Sequence, residues 1–201
     1  MKRSTILTLA VLGLTLTGST AHAERYKVDL SHSSVSFKVK HLFSNVQGQF
    51  NKYEGYIEFD PAAPDTWKAE GTIDVKSIDT NVEGRDKHLL SGDFFAADEF
   101  PVITFKMTGV KDATASGGKV EGLLTIRGVE KPVTLEASFH GVGKDPWGNV
   151  RAGFTATTRI NRKEFGLNWN EALETGQVLV GEEVDITLEI EGILEQAPAS
   201  A

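Results

Sequence analysis

The feature that most constrains this chain is an alternation of apolar and polar side chains that recurs from residue 26 to residue 194. In residues 182–194, Val184, Ile186, Leu188 and Ile190 fall on one side, and Glu183, Asp185, Thr187 and Glu189 on the other. A strand sends successive side chains to opposite faces, so this period specifies strands with one packed and one wetted face. The same pattern predicts strands over residues 26–30, 33–41, 67–76, 102–110 and 150–160. Residues 46–60 read as one long bent strand or a hairpin, and residues 119–127 and 131–141 as a hairpin about Gly128. In residues 33–41 the inward set is Val35, Phe37, Val39 and His41.

The alternation fails over residues 77–105 and again over 161–181. In the first break, Thr80 and Glu83 have capping-box spacing and Gly92 suits a left-handed helix end, which predicts a helix over residues 81–91. Leu89, Leu90, Phe94, Phe95 and Phe100 crowd behind it, and Pro101 leads into the next strand. The second break holds Phe165, Leu167 and Trp169 and a candidate helical turn at 171–174.

About eight antiparallel strands with one apolar face throughout specify an all-β fold, either a closed barrel or a two-sheet sandwich. The inward list mixes large residues with Ala69, Gly71, Gly122, Ala137, Ala152 and Ala156, as if space were kept free. Inward charge is almost absent, and two apolar breaks are available to cover an end. These features favour a barrel around a cavity, with one or two short helices at one end.

Residues 1–23 have the pattern of a cleavable Sec signal: Lys2 and Arg3, an apolar run over residues 6–16, then Ala21-His22-Ala23. The apolar run is too short to span a bilayer, and no later stretch is long enough, so no membrane span is expected. Residues 24–196 then form one domain and residues 197–201 a disordered tail. The chain has no cysteine, which removes disulfides, thiol chemistry and lipid attachment at cysteine. Without Lys2 and Arg3 the formal charge is −9, which gives no nucleic-acid footprint. His32, His41, His88 and His140 lack metal-binding spacing, so no metal and no cofactor is expected.

Several stretches together resemble the YceI family. They are Asp79-Thr80, Arg85-Asp86-Lys87-His88-Leu89, Asp93-Phe94-Phe95 and Phe100-Pro101-x-Ile103-x-Phe105. His32-Ser33-x-Val35-x-Phe37-x-Val39-x-His41, Val46-x-Gly48-x-Phe50, the run from Gly122 to Val129 and the run from Arg159 to Gly166 also match. The resemblance spans essentially the whole chain after residue 23. It implies a lipocalin-like antiparallel barrel exported to the periplasm, with a tunnel for polyisoprenoid or related long-chain amphiphiles such as a quinone tail or fatty amide.

On that basis the tunnel and lid are assigned to Phe37, Val39, Phe50, Ile57, Ile73, Leu89, Phe94, Phe95, Phe100, Phe105, Leu124, Phe154 and Trp169. His41, Arg85, Asp86 and His88 are candidates for contacts at the mouth or for anchors of the helix. The partner expected is an isoprenoid or long-chain lipid, and a homodimer through exposed barrel strands is left open. No nucleophile elbow accompanies Asp86 and His88, so the expectation is a carrier and not an enzyme. Two alternatives stand beside it: an enzyme acting on such a lipid through Asp86 with His88 or His41, and a stress-response interaction module with an incidental ligand.

Overall fold

The computed structural model describes residues 23–171 and 179–195. The expected signal sequence, all but Ala23, and the expected tail lie outside these residues, as do residues 172–174 of the second helical turn.

The fold is a closed antiparallel barrel of eight long staves, each hydrogen-bonded to its neighbours in sequence and the last to the first. Three staves are broken once. The first is β1 (Glu24–Val28) followed by β2 (Ser34–His41), the second β3 (Ser44–Phe50) followed by β4 (Tyr53–Phe59). The third is β5 (Lys68–Asp74) followed by the short β6 (Ile78–Asp79). β1 pairs with β4 while β2 pairs with β3, and likewise β4 with β5 while β3 pairs with β6. Residues 46–60 are therefore a long bent strand and not a hairpin. The other staves are β7 (Val102–Thr114), β8 (Gly117–Ile126), β9 (Val129–Lys144), β10 (Val150–Asn161) and β11 (Val180–Leu194).

The breaks have local causes. The Asp29 carboxylate accepts from Ser31 N at 3.0 Å and starts the 3-10 turn Leu30–His32. Asp74 does the same through Lys76 N at 2.9 Å, starting the turn Val75–Ser77. Such side-chain-to-backbone bonds offer the chain an alternative to the ladder. The neighbouring break at Asn51 and Lys52 is stitched to this turn, because Asn51 N donates to Ser77 O and Lys52 N to Ser77 Oγ. Arg127 (φ 49) and Gly128 (φ 72) form a two-residue turn between β8 and β9, both left-handed as a tight hairpin demands.

All connections after the ends of β2, β6, β8 and β10 lie at one end of the barrel, called here the lid end. The helix α1 (Glu83–Leu90) lies there, together with the 3-10 turn Arg162–Phe165. A packed cluster fills this end, with Val75, Ile78, Phe94, Phe165 and Leu167 all buried.

The helix is shorter than expected and its ends are built differently. Its N-cap is Val82, whose side chain makes no capping bond, so the Thr80–Glu83 capping box does not form. Thr80 is instead engaged by Asp86 and Arg85. The C-cap, Ser91, is extended at φ −71, and Gly92 is not left-handed; Asn81 (φ 61) and Ala96 (φ 47) take that conformation.

Candidate functional site

The barrel encloses a cavity of about 500 Å³ that runs from the lid end along the inward faces of the staves. Of the residues assigned to it from sequence, Phe37, Val39, Phe50, Ile57, Ile73, Leu89, Phe94, Phe95, Phe105, Leu124, Phe154 and Trp169 line it. Phe100 does not. Its ring covers Gly128, where an added Cβ would stand 2.7 Å from Cε1. Of the six small inward residues, Ala69, Gly71, Ala137 and Ala156 lie on the wall; Gly122 and Ala152 do not, the space at Gly122 being filled by the Phe105 ring and Ala152 being buried.

At the lid end, aromatic rings form two groups. Phe50 lies 5.8 Å from Phe37 and 6.1 Å from Phe95. Trp169 stands 5.2 Å from Phe94 and 4.8 Å from His88, the His ring meeting it edge-on at 85°. The lining residues at this end include His41 at the close of β2, Arg85 and His88 on α1, and Arg162.

The charged trio does not converge. Asp86 Oδ1 accepts from Thr80 N at 3.0 Å and from Thr80 Oγ1 at 2.5 Å. Arg85 Nε donates to Thr80 Oγ1 and its Nη2 to Thr80 O, both at 2.7 Å. Thr80 is 3 % exposed, so both side chains fasten the start of α1 to a buried residue. Asp86 is not on the cavity wall. His88 Nε2 pairs with Asp93 at 3.0 Å, away from Asp86.

Two arginines that sequence reasoning did not single out hold the rest of the lid. Arg127 Nη1 donates to Phe94 O at 2.8 Å and Gly166 O at 3.0 Å, and its Nη2 to Gly92 O at 2.9 Å. Arg162 is 4 % exposed. It donates to the carbonyls of Leu167 (2.5 Å), Gly181 (2.8 Å) and Trp169 (2.9 Å), with a longer contact to Val180. Burial pushes its pKa down, with nearby Glu182 acting the other way. Both residues sit in stretches that carried the family resemblance, but no periodicity or spacing marks a cation that bonds backbone carbonyls.

The opposite end is closed by a different device. Phe59 stands 4.6 Å from both Trp67 and Phe139 and 5.3 Å from Phe154; Phe139 and Phe154 are 5.4 Å apart. Tyr26, buried, meets Phe154 edge-on at 6.4 Å, and its hydroxyl bonds the Glu24 carboxylate. Burial first, then Glu24, pushes the Tyr26 pKa up. Trp67 Nε1 donates to Asp60 O at 2.6 Å. Phe59 and Phe139 are inward residues by alternation, but alternation carries no information about which staves place rings at the same level.

Among the described residues one group has metal-ligating chemistry, Asp29, His32 and Glu191, with ligand atoms within 4.8 Å of one another. Arg151 Nη1 donates to Asp29 Oδ2 at 2.6 Å and Glu191 Oε1 at 2.5 Å, while its Nε bonds Asp145 Oδ2 at 2.8 Å. The group thus already has a guanidinium as counter-charge and ties β1, β11 and the β9–β10 turn together. Arg151 holds the Asp29 carboxyl well below the usual carboxylate range, helped by His32.

A closed eight-stave barrel around an almost wholly apolar cavity defines a class of binding barrel. The YceI-like domain model matches residues 26–192, and the chain belongs to that family. A UPF0312 protein of Pseudomonas paraeruginosa is 39% identical over 196 residues, covering 96% of this chain and 99% of that protein. A UPF0312 protein of Yersinia enterocolitica is 40% identical over 196 residues, with 96% and 98% covered. The crystal structure of Burkholderia cenocepacia BcnA is similar, with a TM-score of 0.72 at 29% identity, covering 82% of this chain and 98% of that one. A polyisoprenoid binding domain from Saccharophagus degradans shares the fold at a TM-score of 0.62 and 14% identity, over 85% and 98% of the two chains. Among the described residues no helix is long and apolar enough to cross a membrane.

Proposed function

We propose that this protein binds and carries a long apolar chain, a polyisoprenoid or a related amphiphile such as a quinone tail or fatty amide, without transforming it. The observation that carries this reading is the almost wholly apolar cavity of about 500 Å³ running through the barrel. Burying each methylene of a tail is worth roughly 0.8 kcal/mol before the cost of ordering the chain. A tail is therefore held by area, and its headgroup stays near His41, Arg85 and His88 at the lid end. The name of the Saccharophagus degradans domain, which shares the fold, points to the same ligand class.

The amino-terminal residues support export, and the proposed place of action is the periplasm. Binding is preferred to catalysis because Asp86 and His88, the strongest acid–base pair in the sequence, are engaged separately with Thr80 and Asp93. The test is purification without detergent, followed by organic extraction and mass spectrometry. A co-purified long-chain lipid released in near-stoichiometric amount is expected. Protein that emerges empty and then takes up no polyprenol or fatty amide from dispersions would overturn the reading.

A further inference from the structure

The cavity ends on a floor of rings, and the layer directly above that floor is small. On β9 and β10 the register pairs Phe139 with Phe154 and, one inward layer nearer the lid, Ala137 with Ala156. The ladder shifts register between Gly153 and Phe154, so that His140 has no partner of its own. Such a bulge bends its strand and re-aims side chains. Here it stands beside the level at which both phenyl rings face the cavity. Phe59 joins them at 4.6 Å and 5.3 Å from across the barrel. Trp67, 9% exposed, packs beside Phe59 in the floor, and Tyr26, 3% exposed and off the cavity wall, backs Phe154. Four alanine and phenylalanine side chains thus make an abrupt step from an open bore to a stop.

We infer that Phe59, Phe139 and Phe154 form a ruler that sets the longest tail the barrel accepts. The inference rests on the proposed binding of apolar chains. A tail entering from the lid end can extend past the alanine layer and then meets rings that have no room to retreat. Headgroup chemistry at the lid end and tail length at the floor are then read by separate parts of the molecule.

The test uses a homologous ladder of straight-chain primary alcohols, added to the purified full-length protein and read by native mass spectrometry. The wild type should show a sharp upper limit in retained chain length. Ring carbons and buried methylenes pack at similar density, so Phe154→Ala should raise that limit by about two to four carbons. Ala156→Phe should lower it by a similar amount, and because this variant adds volume at the open layer, it decides the matter if Phe154→Ala fails to fold. An unchanged limit in the folded variants overturns the ruler while leaving tail binding intact. A wild type that retains no chain of any length overturns both.

Discussion

Replacing Asp86 by alanine should detach the amino-terminal end of α1. Asp86 Oδ1 holds two donors of Thr80, the amide at 3.0 Å and the hydroxyl at 2.5 Å, and Thr80 itself is buried. Hydrogen bonds to a charged partner contribute roughly 1.5–3 kcal/mol each, and a buried donor left unpaired costs about 1–3 kcal/mol. The site is only half-buried and the bonds share one oxygen, so the two do not simply add. A loss of about 2–4 kcal/mol follows, or roughly 5–15 °C in Tm for a domain of this size. Asp86→Asn keeps an oxygen in place and should lose only about 1 kcal/mol. If the lid opens without the barrel, the same energy appears as exchange of the amides of residues 80–95, roughly 30- to 800-fold faster. Urea unfolding and hydrogen exchange, read on Asp86→Ala, Thr80→Val and the double variant, separate the cases. A coupling energy above about 1 kcal/mol between the two sites is expected. Single variants within about 0.5 kcal/mol of wild type, with unchanged exchange in the lid, would refute the anchoring argument.

Three further outcomes follow from the geometry. Arg151 keeps the Asp29 carboxyl depressed, and with Asn149 it overcomes the upward effect of burial at Asp145. A depressed folded pKa gives stability that is present above the unfolded value of about 3.9 and lost as pH falls towards the folded one. Urea midpoints should therefore decline below about pH 4 in the wild type, and Arg151→Met should flatten that decline; parallel profiles would remove the network from the explanation. Arg162→Lys should cost about 3 kcal/mol or more by urea unfolding, because an ammonium cannot reach carbonyls spread from Leu167 to Gly181 as a planar fork does. A cost under about 1 kcal/mol would mean that water replaces the fork. Gly128→Ala places a Cβ 2.7 Å from the Phe100 ring at φ 72, and a loss of about 1–3 kcal/mol in thermal unfolding is expected. A neutral result would show that Phe100 can move aside.

The alternation disclosed the staves because each has one face towards the cavity, and residues such as Val184, Ile186 and Leu188 on β11 leave no other period. It was less able to show where a stave breaks. Asp29 and Asp74 each fold their own backbone into a 3-10 turn, yet the residues on either side keep the strand pattern. Thr80 and Glu83 have the spacing of a capping box, but spacing is a local property. Asp86 and Arg85 compete for the same threonine from one turn further along, and they win it. Arg127 and Arg162 were legible only as members of familiar stretches. Their partners are backbone carbonyls of segments up to 39 residues away, and carbonyls carry no sequence signature. The aromatic floor is a matter of level, set by register and by one bulge, which composition does not encode.

Both ends of the barrel are packed with rings, and the lid end adds a set of charged anchors. The lid is fastened by guanidinium and carboxylate bonds to backbone and to one buried threonine, laid over a packed cluster that includes Phe94 and Phe165. The floor is fastened by ring packing, for which water offers no substitute. Releasing one such anchor costs about 2–4 kcal/mol, whereas opening the floor exposes Phe59, Trp67, Phe139 and Phe154 together. Burying each large apolar side chain is worth roughly 1.5–3 kcal/mol, so parting the floor costs several times more than releasing one anchor of the lid. For the long chain proposed as ligand, entry and exit past α1 then require only its anchors to be released one at a time, which leaves the floor to act as the proposed stop.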